Sequence, residues 1–174
     1  MLMLVFRIMV IIFICFGTVY PSSLQDSYVT INADELEVQG KQDVFSAFGN
    51  VRVDFRGVRI FGQKAHYYKL SNTVNVTGGV VIRHQGVRLD TSEVIGYGQE
   101  GRILASGNVN VTYQDIQATS SEAVYYVDSE HIVLMGLPHV KQGDSRISGK
   151  TMEIHFKTGK IKTIGRANVL LDTE

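Results

Sequence analysis

Five glycines stand at positions 49, 78, 107, 136 and 165, with an interval of 29 residues at every step. The residues after each glycine are periodic as well. Gly107-Asn108-Val109-Asn110-Val111 repeats Gly49-Asn50-Val51-Arg52-Val53, and more loosely Gly78-Gly79-Val80-Val81-Ile82. Degraded copies occur at Gly136-Leu137-Pro138-His139-Val140 and Gly165-Arg166-Ala167-Asn168-Val169. A fixed period of this length means one supersecondary unit stacked on itself, because a single unit cannot bury its apolar face alone.

Within each unit the apolar residues recur at every second position. Val51 and Val53, Val58 and Ile60, Ala65 and Tyr67, then Val74 and Val76 mark four strand segments, and later units repeat them. Period-two alternation gives each strand one apolar and one polar face. Turns fall at Arg56-Gly57, Gln85-Gly86, Gln114-Asp115 and Gly143-Asp144, and on the other side at Ser71-Asn72, Glu100-Gly101, Ser129-Glu130 and Thr158-Gly159. No window keeps a helical apolar stripe for three turns. With 17 glycines and only 2 prolines, the composition also favours strands. The fold class expected is all-β: an elongated twisted β-jellyroll, two facing antiparallel sheets built from stacked 29-residue repeats, with four full units and a partial fifth. Pro138 cannot donate to a ladder, so a bulge or an edge is expected there.

Residues 1–23 read as a secretory signal peptide with a poorly defined cleavage site. Arg7 precedes an apolar run from Ile8 to Phe16, and Gly17, Thr18, Pro21, Ser22 and Ser23 come after it. The run is short for a membrane span, which needs about 20 apolar residues. Residues 24–174 are then one domain. Cys15 lies in the signal core, so no disulfide framework is expected. Ser27 to Val38 reads as a strand entry leading into the stack.

Charge is balanced overall, 17 basic against 17 acidic residues, so nothing points to nucleic acid. Along the chain it is uneven. Residues 41–88 hold eight bases (Lys41, Arg52, Arg56, Arg59, Lys64, Lys69, Arg83, Arg88) against Asp43 and Asp54, whereas residues 89–130 hold seven acids against Arg102. This reads either as a solvated sheet face or as a basic band meeting an anionic ligand or an acidic partner. No catalytic constellation is present. The histidines at 66, 84, 131, 139 and 155 lack metal-ligand spacing, His66 and His155 read as surface or sheet-flank residues, and no nucleophile elbow or phosphate loop occurs. No enzyme activity, metal or cofactor is expected. Asn75-Val76-Thr77 and Asn110-Val111-Thr112 match a glycosylation pattern, but both lie inside expected strands.

The inward positions include Val51, Val53, Val58, Ile60, Tyr67, Val74, Val80, Ile82, Val87, Leu89, Val109, Val111, Ile116, Tyr125, Ile132, Leu134, Ile147 and Ile154. They either fill a dry core or line an apolar groove able to hold acyl chains. Open sheets also leave edges. The segment Ala167-Asn168-Val169-Leu170-Leu171 has no lysine or proline to block strand addition.

The glycine phrase, Ser121-Glu122-Ala123-Val124-Tyr125-Tyr126 before a turn and Ile132-Val133-Leu134-Met135-Gly136, and then the run from Val140 to Lys150 occur in one order at one spacing. In this the chain resembles the OstA-like family, over about residues 29–171. The resemblance implies a periplasmic β-jellyroll that carries lipopolysaccharide from inner to outer membrane, its acyl chains lying against the inward residues named above. It implies head-to-tail self-association, and union with jellyroll domains of inner-membrane and outer-membrane partners. Edge strands bearing Tyr28, Thr30 and Ile31 at one end and Ala167, Val169 and Leu171 at the other would serve that joining. A membrane-anchored jellyroll component of the same transport system, and a self-assembling β-solenoid without lipid, are the alternatives.

Overall fold

The computed structural model describes residues 29–171. They form fourteen strands and, among the described residues, no helix. In chain order these are β1 (Val29–Asn32), β2 (Glu35–Gln39), β3 (Val44–Phe55), β4 (Val58–Tyr68), β5 (Thr73–His84), β6 (Val87–Tyr97), β7 (Arg102–Tyr113), β8 (Ile116–Tyr126), β9 (His131–Met135), β10 (His139–Gln142), β11 (Ser145–Ser148), β12 (Thr151–His155), β13 (Lys160–Ile164) and β14 (Asn168–Leu170). The strands from β3 to β8 pair antiparallel with their sequence neighbours, and the shorter strands at either end join the same unclosed sheet, β1 and β2 on β3, β9 and β10 on β8. The all-β jellyroll expected from the repeat is what the chain adopts. The expected signal segment lies outside the described residues.

One detail of that expectation is corrected. A repeat holds two strands of 11 or 12 residues, such as β3 and β4, rather than four short ones. The ladder crosses the midpoint of each long strand with a bulge instead of breaking. Between β3 and β4 the register steps from Phe48↔Lys64 to Val51↔Gly62, so Gly49 and Asn50 oppose Gln63 alone. The same shift recurs between Thr77 and Val80 and between Ser106 and Val109. A bulge bends the strand it sits in. The repeated glycine is needed there. Gly107 has φ +82, and a Cβ on it would lie 2.8 Å from Ser92 Oγ. Asn108 beside it also has a positive φ, 53, a conformation asparagine tolerates.

The bulges line up from strand to strand and form a hinge. On one side of it lie β1, the C-terminal halves of β3, β5 and β7, the N-terminal halves of β4, β6 and β8, and then β10, β11 and β14. On the other lie β2, the remaining halves, and β9, β12 and β13. These are the two facing layers, continuous through the hinge as a single folded sheet. At Pro138 the fold does break. Leu137 has φ 58, and β9 and β10 are separate strands, because proline offers no N–H to carry the ladder across.

The layers bury one continuous core. Val53, Ile60, Ala65, Val76, Ile103, Ile132 and Leu134 have 0 % exposure, a value a single sheet cannot give without a second layer over it. The turns lie opposite the hinge and form the rim of a mouth.

Candidate functional site: the interior, the mouth and the free edges

Two apolar rows run through the stack from edge to edge. In the first layer the register links Ile31, Val53, Ile60, Ile82, Leu89, Val111, Ala118, Val140, Ile147 and Val169, each opposite the next. In the second it links Val38, Phe45, Tyr67, Val74, Gly96, Ile103, Tyr125, Ile132, Ile154 and Ile161. Equal-phase strands in every repeat make this possible, since a slip of one residue would turn a strand's apolar set outward. Nine interstrand steps of about 4.8 Å make each row about 43 Å long.

Every sequence-predicted interior residue lies in this core. Val51, Val53, Val58, Ile60, Val74, Val80, Ile82, Val87, Leu89, Val109, Val111, Ile116, Tyr125, Ile132, Leu134 and Ile154 are buried, and Tyr67 and Ile147 pack half-buried against them. Phe55 and Val127 belong to the same cluster and were missed. Both simply continue the phase of a named pair, Val53 or Tyr125, one step toward the turn.

Exposure divides the rows into a sealed middle and open ends. Val38 is 56 % exposed and Val169 51 %, although each sits in register with residues buried to a few per cent two or three strands away. The reason is topological. Of the described strands, β1 and β14 end the first layer, while β2 and β13 end the second, and each has one neighbour. Thr30 and Ile31 lie on β1, Val169 lies on β14, and Ala167 and Leu171 flank it. Tyr28 is outside the described residues. The four edges differ in protection. Glu35 and Glu37 point outward from β2, and Lys160 and Lys162 outward from β13. The strands β1 and β14 carry no charged residue. Charged side chains discourage pairing by an unwanted strand, and β1 and β14 lack that guard.

The mouth is bridged by side chains from opposite layers. Arg56, in the β3–β4 turn, donates from Nη1 to Asp128 Oδ2 at 2.8 Å. His84 Nδ1 lies 2.6 Å from the Tyr125 hydroxyl. Tyr113 meets Phe156 with ring centroids 5.0 Å apart. His84 is half-buried at this contact. Burial pushes its pKa below the ordinary value of 6.5, offset in part by Glu130 and Asp128. Burial pushes the Tyr125 phenol up, so it remains a neutral donor. His131 is also lowered, first by burial and then by His155, with which it stacks at 5.1 Å. Nothing in the spacing of His84 and Tyr125 announces their contact, because it joins strands that are not neighbours.

Among the described residues, a folded antiparallel sheet with an apolar seam, open at both ends and with unguarded edge strands on its first layer, defines an open-ended β-jellyroll. The family model for the LptA/(LptD N-terminal domain) LPS transport protein matches residues 30–160, and the chain belongs to that family. Among solved structures the chain is similar to LptH, the LptA homologous periplasmic component of the conserved lipopolysaccharide transport device from Pseudomonas aeruginosa. Identity is 14 %, with 86 % of this chain and 98 % of that chain covered and a TM-score of 0.37. No curated protein matches.

Proposed function

We propose that this chain is a periplasmic, non-enzymatic carrier and bridge that moves lipopolysaccharide from the inner to the outer membrane. The acyl chains lie between the two layers. The observation that carries the reading is the pair of apolar rows running unbroken from one sheet edge to the other, within a family of lipopolysaccharide transport proteins. An apolar seam offers non-directional contact, so a bound chain can shift along it without breaking specific bonds.

The middle of the seam is packed shut, so entry requires the layers to part. Parting at the hinge would break backbone ladders, whereas parting at the mouth breaks two polar contacts and an aromatic one. The exposed Arg56–Asp128 pair is worth about 0–1 kcal/mol, and the His84–Tyr125 bond about 1 kcal/mol. Burying each acyl methylene returns about 0.8 kcal/mol. A few methylenes therefore offset the mouth, and core residues that lose one another regain contact with the acyl chain.

Free edges give the bridge its joints. Strand addition at β1 and β14 would extend the first layer into a second copy, or into a jellyroll domain of an inner-membrane or outer-membrane partner. In a head-to-tail union the acids on β2 of one copy would meet the lysines on β13 of the next. The packed interior equally suits a dry-core scaffold that self-assembles without lipid, and that reading makes the opposite prediction for lipid contact. Photo-crosslinking from inward Val80, Leu89 and Ile132, with outward Thr119 and Glu122 as controls, separates the two.

A further inference from the structure

The outward face of the first layer is strongly basic, and neither the seam nor the edges account for it. One cross-strand row places Asp54 opposite Arg59, Arg59 opposite Arg83, and Arg83 opposite Arg88. The same row continues through Thr112 and Gln117 to Lys141 and Arg146, again directly opposed. With Arg52 in the adjoining row, the face holds six bases and two acids, Asp54 and Asp90.

Those two acids are already engaged. Asp54 accepts from Arg52 at 2.8 Å, and Asp90 from Arg88 Nε at 2.8 Å. Among the described residues no carboxylate lies within ion-pair distance of Arg59, Arg83, Lys141 or Arg146. Directly opposed side chains on an antiparallel pair stand about 5 Å apart, and like charges there are destabilising. Arg88 is neutralised by Asp90, so the cost in stability falls on the opposed pairs Arg59–Arg83 and Lys141–Arg146. An external anion array would relieve that repulsion.

The geometry points to the surface of an anionic bilayer as the occupant: we propose that phosphate headgroups dock on this face. The bases run over six interstrand steps, about 29 Å, along one sheet face. That is an extended charged strip facing one way. Between the bases lies an apolar patch. Phe61 and Val81 are directly opposed and only half-buried, with the Arg83 guanidinium 5.7 Å above the Phe61 ring. Bases around an aromatic and an aliphatic side chain suit the headgroup zone, where the ring enters the interface and the cations meet phosphate. The inference does not depend on the seam holding lipid, because these side chains point away from it.

The test is vesicle flotation with the full chain, using phosphatidylcholine vesicles with and without phosphatidylglycerol. The apolar segment at residues 8–16 is common to every arm, so it cannot produce a difference between variants. Binding is expected to be tighter with phosphatidylglycerol than with phosphatidylcholine alone, and that increment to fall as salt is raised. Each lost base near an anionic surface costs about fivefold, so Arg59→Gln/Arg83→Gln should bind about twenty-fivefold more weakly. Its thermal midpoint should not fall, since a like-charge pair has been removed. Lys64→Gln/Arg102→Gln, on the outward face of the other layer, should bind as the parent does. Equal binding by Arg59→Gln/Arg83→Gln, equal loss in the control, or equal binding to pure phosphatidylcholine overturns the proposal. So does capture by polyglutamate without vesicle binding, which would place an acidic protein there instead.

Discussion

His84 and Tyr125 lie 41 residues apart, on strands that are not neighbours, and meet at 2.6 Å across the mouth of the jellyroll. The contact is the buried member of a set that includes Arg56–Asp128 and Tyr113–Phe156. The seam is therefore closed over its central repeats by side chains, while the hinge holds it by backbone.

The histidine makes the closure sensitive to acid. Its pKa in the fold is depressed, so the unfolded chain binds the proton first as pH falls below 6.5. The stabilisation is complete above that value and is lost as pH drops from it toward the depressed value in the fold. His131 adds a contribution of the same sign. Thermal midpoints measured across this window should fall on acidification. His84→Gln should flatten the dependence in part, and a curve equally steep in that variant would remove His84 from the explanation.

Arg56→Ala and Asp128→Ala should leave stability within about 1 kcal/mol of the parent, because the pair is exposed. Both should speed the uptake of lipopolysaccharide, measured by stopped-flow with a fluorescent acyl probe. The charge-exchanged Arg56→Asp/Asp128→Arg chain should return the rate toward the parent's.

The hinge tolerates no side chain at its repeated glycine. Gly107→Ala puts a Cβ at φ +82 and 2.8 Å from Ser92 Oγ, and should cost about 1–3 kcal/mol. Gly40 sits in a turn with nothing within 4 Å of an added Cβ. Gly40→Ala is the control, and urea unfolding should leave it close to the parent.

Core and face should separate cleanly. Ile60 is fully buried, and Ile60→Ala should lose about 2–5 kcal/mol. Val81→Ala, on the outward face of the neighbouring strand, should lose well under half of that. Similar losses at both sites, in chemical denaturation, would contradict the assignment of inner and outer faces.

Assembly should follow the charges on the second-layer edges. Lys160→Glu/Lys162→Glu places acids opposite Glu35 and Glu37 of the next copy, so sedimentation should detect shorter assemblies. Mixing that variant with Glu35→Lys/Glu37→Lys should restore pairing between the two chains. Unchanged assembly in the first variant would rule out this head-to-tail register.

The sequence was most informative where one rule repeats. The glycine interval located the hinge, and the phase of Val51, Val53, Val58 and Ile60 located the inner face, because alternation and burial are local facts repeated in every unit. Strand length was harder to see. The glycine pair of Gly78-Gly79 looks like a break between strands, yet the ladder passes it as a bulge. Contacts that depend on how far one layer is offset over the other, such as His84 with Tyr125, leave no local trace. The arginine row is a mixed case. The excess of bases at residues 41–88 was plain, but only the register shows Arg59, Arg83 and Arg88 side by side.

Lipid in the seam would lie against the inward side chains. A photo-crosslinking residue at Val80, Leu89 or Ile132, in cells making lipopolysaccharide, should yield lipopolysaccharide adducts, while Thr119 and Glu122 should not. Adducts from the outward pair with none from the inward three would rule out lipid in the seam.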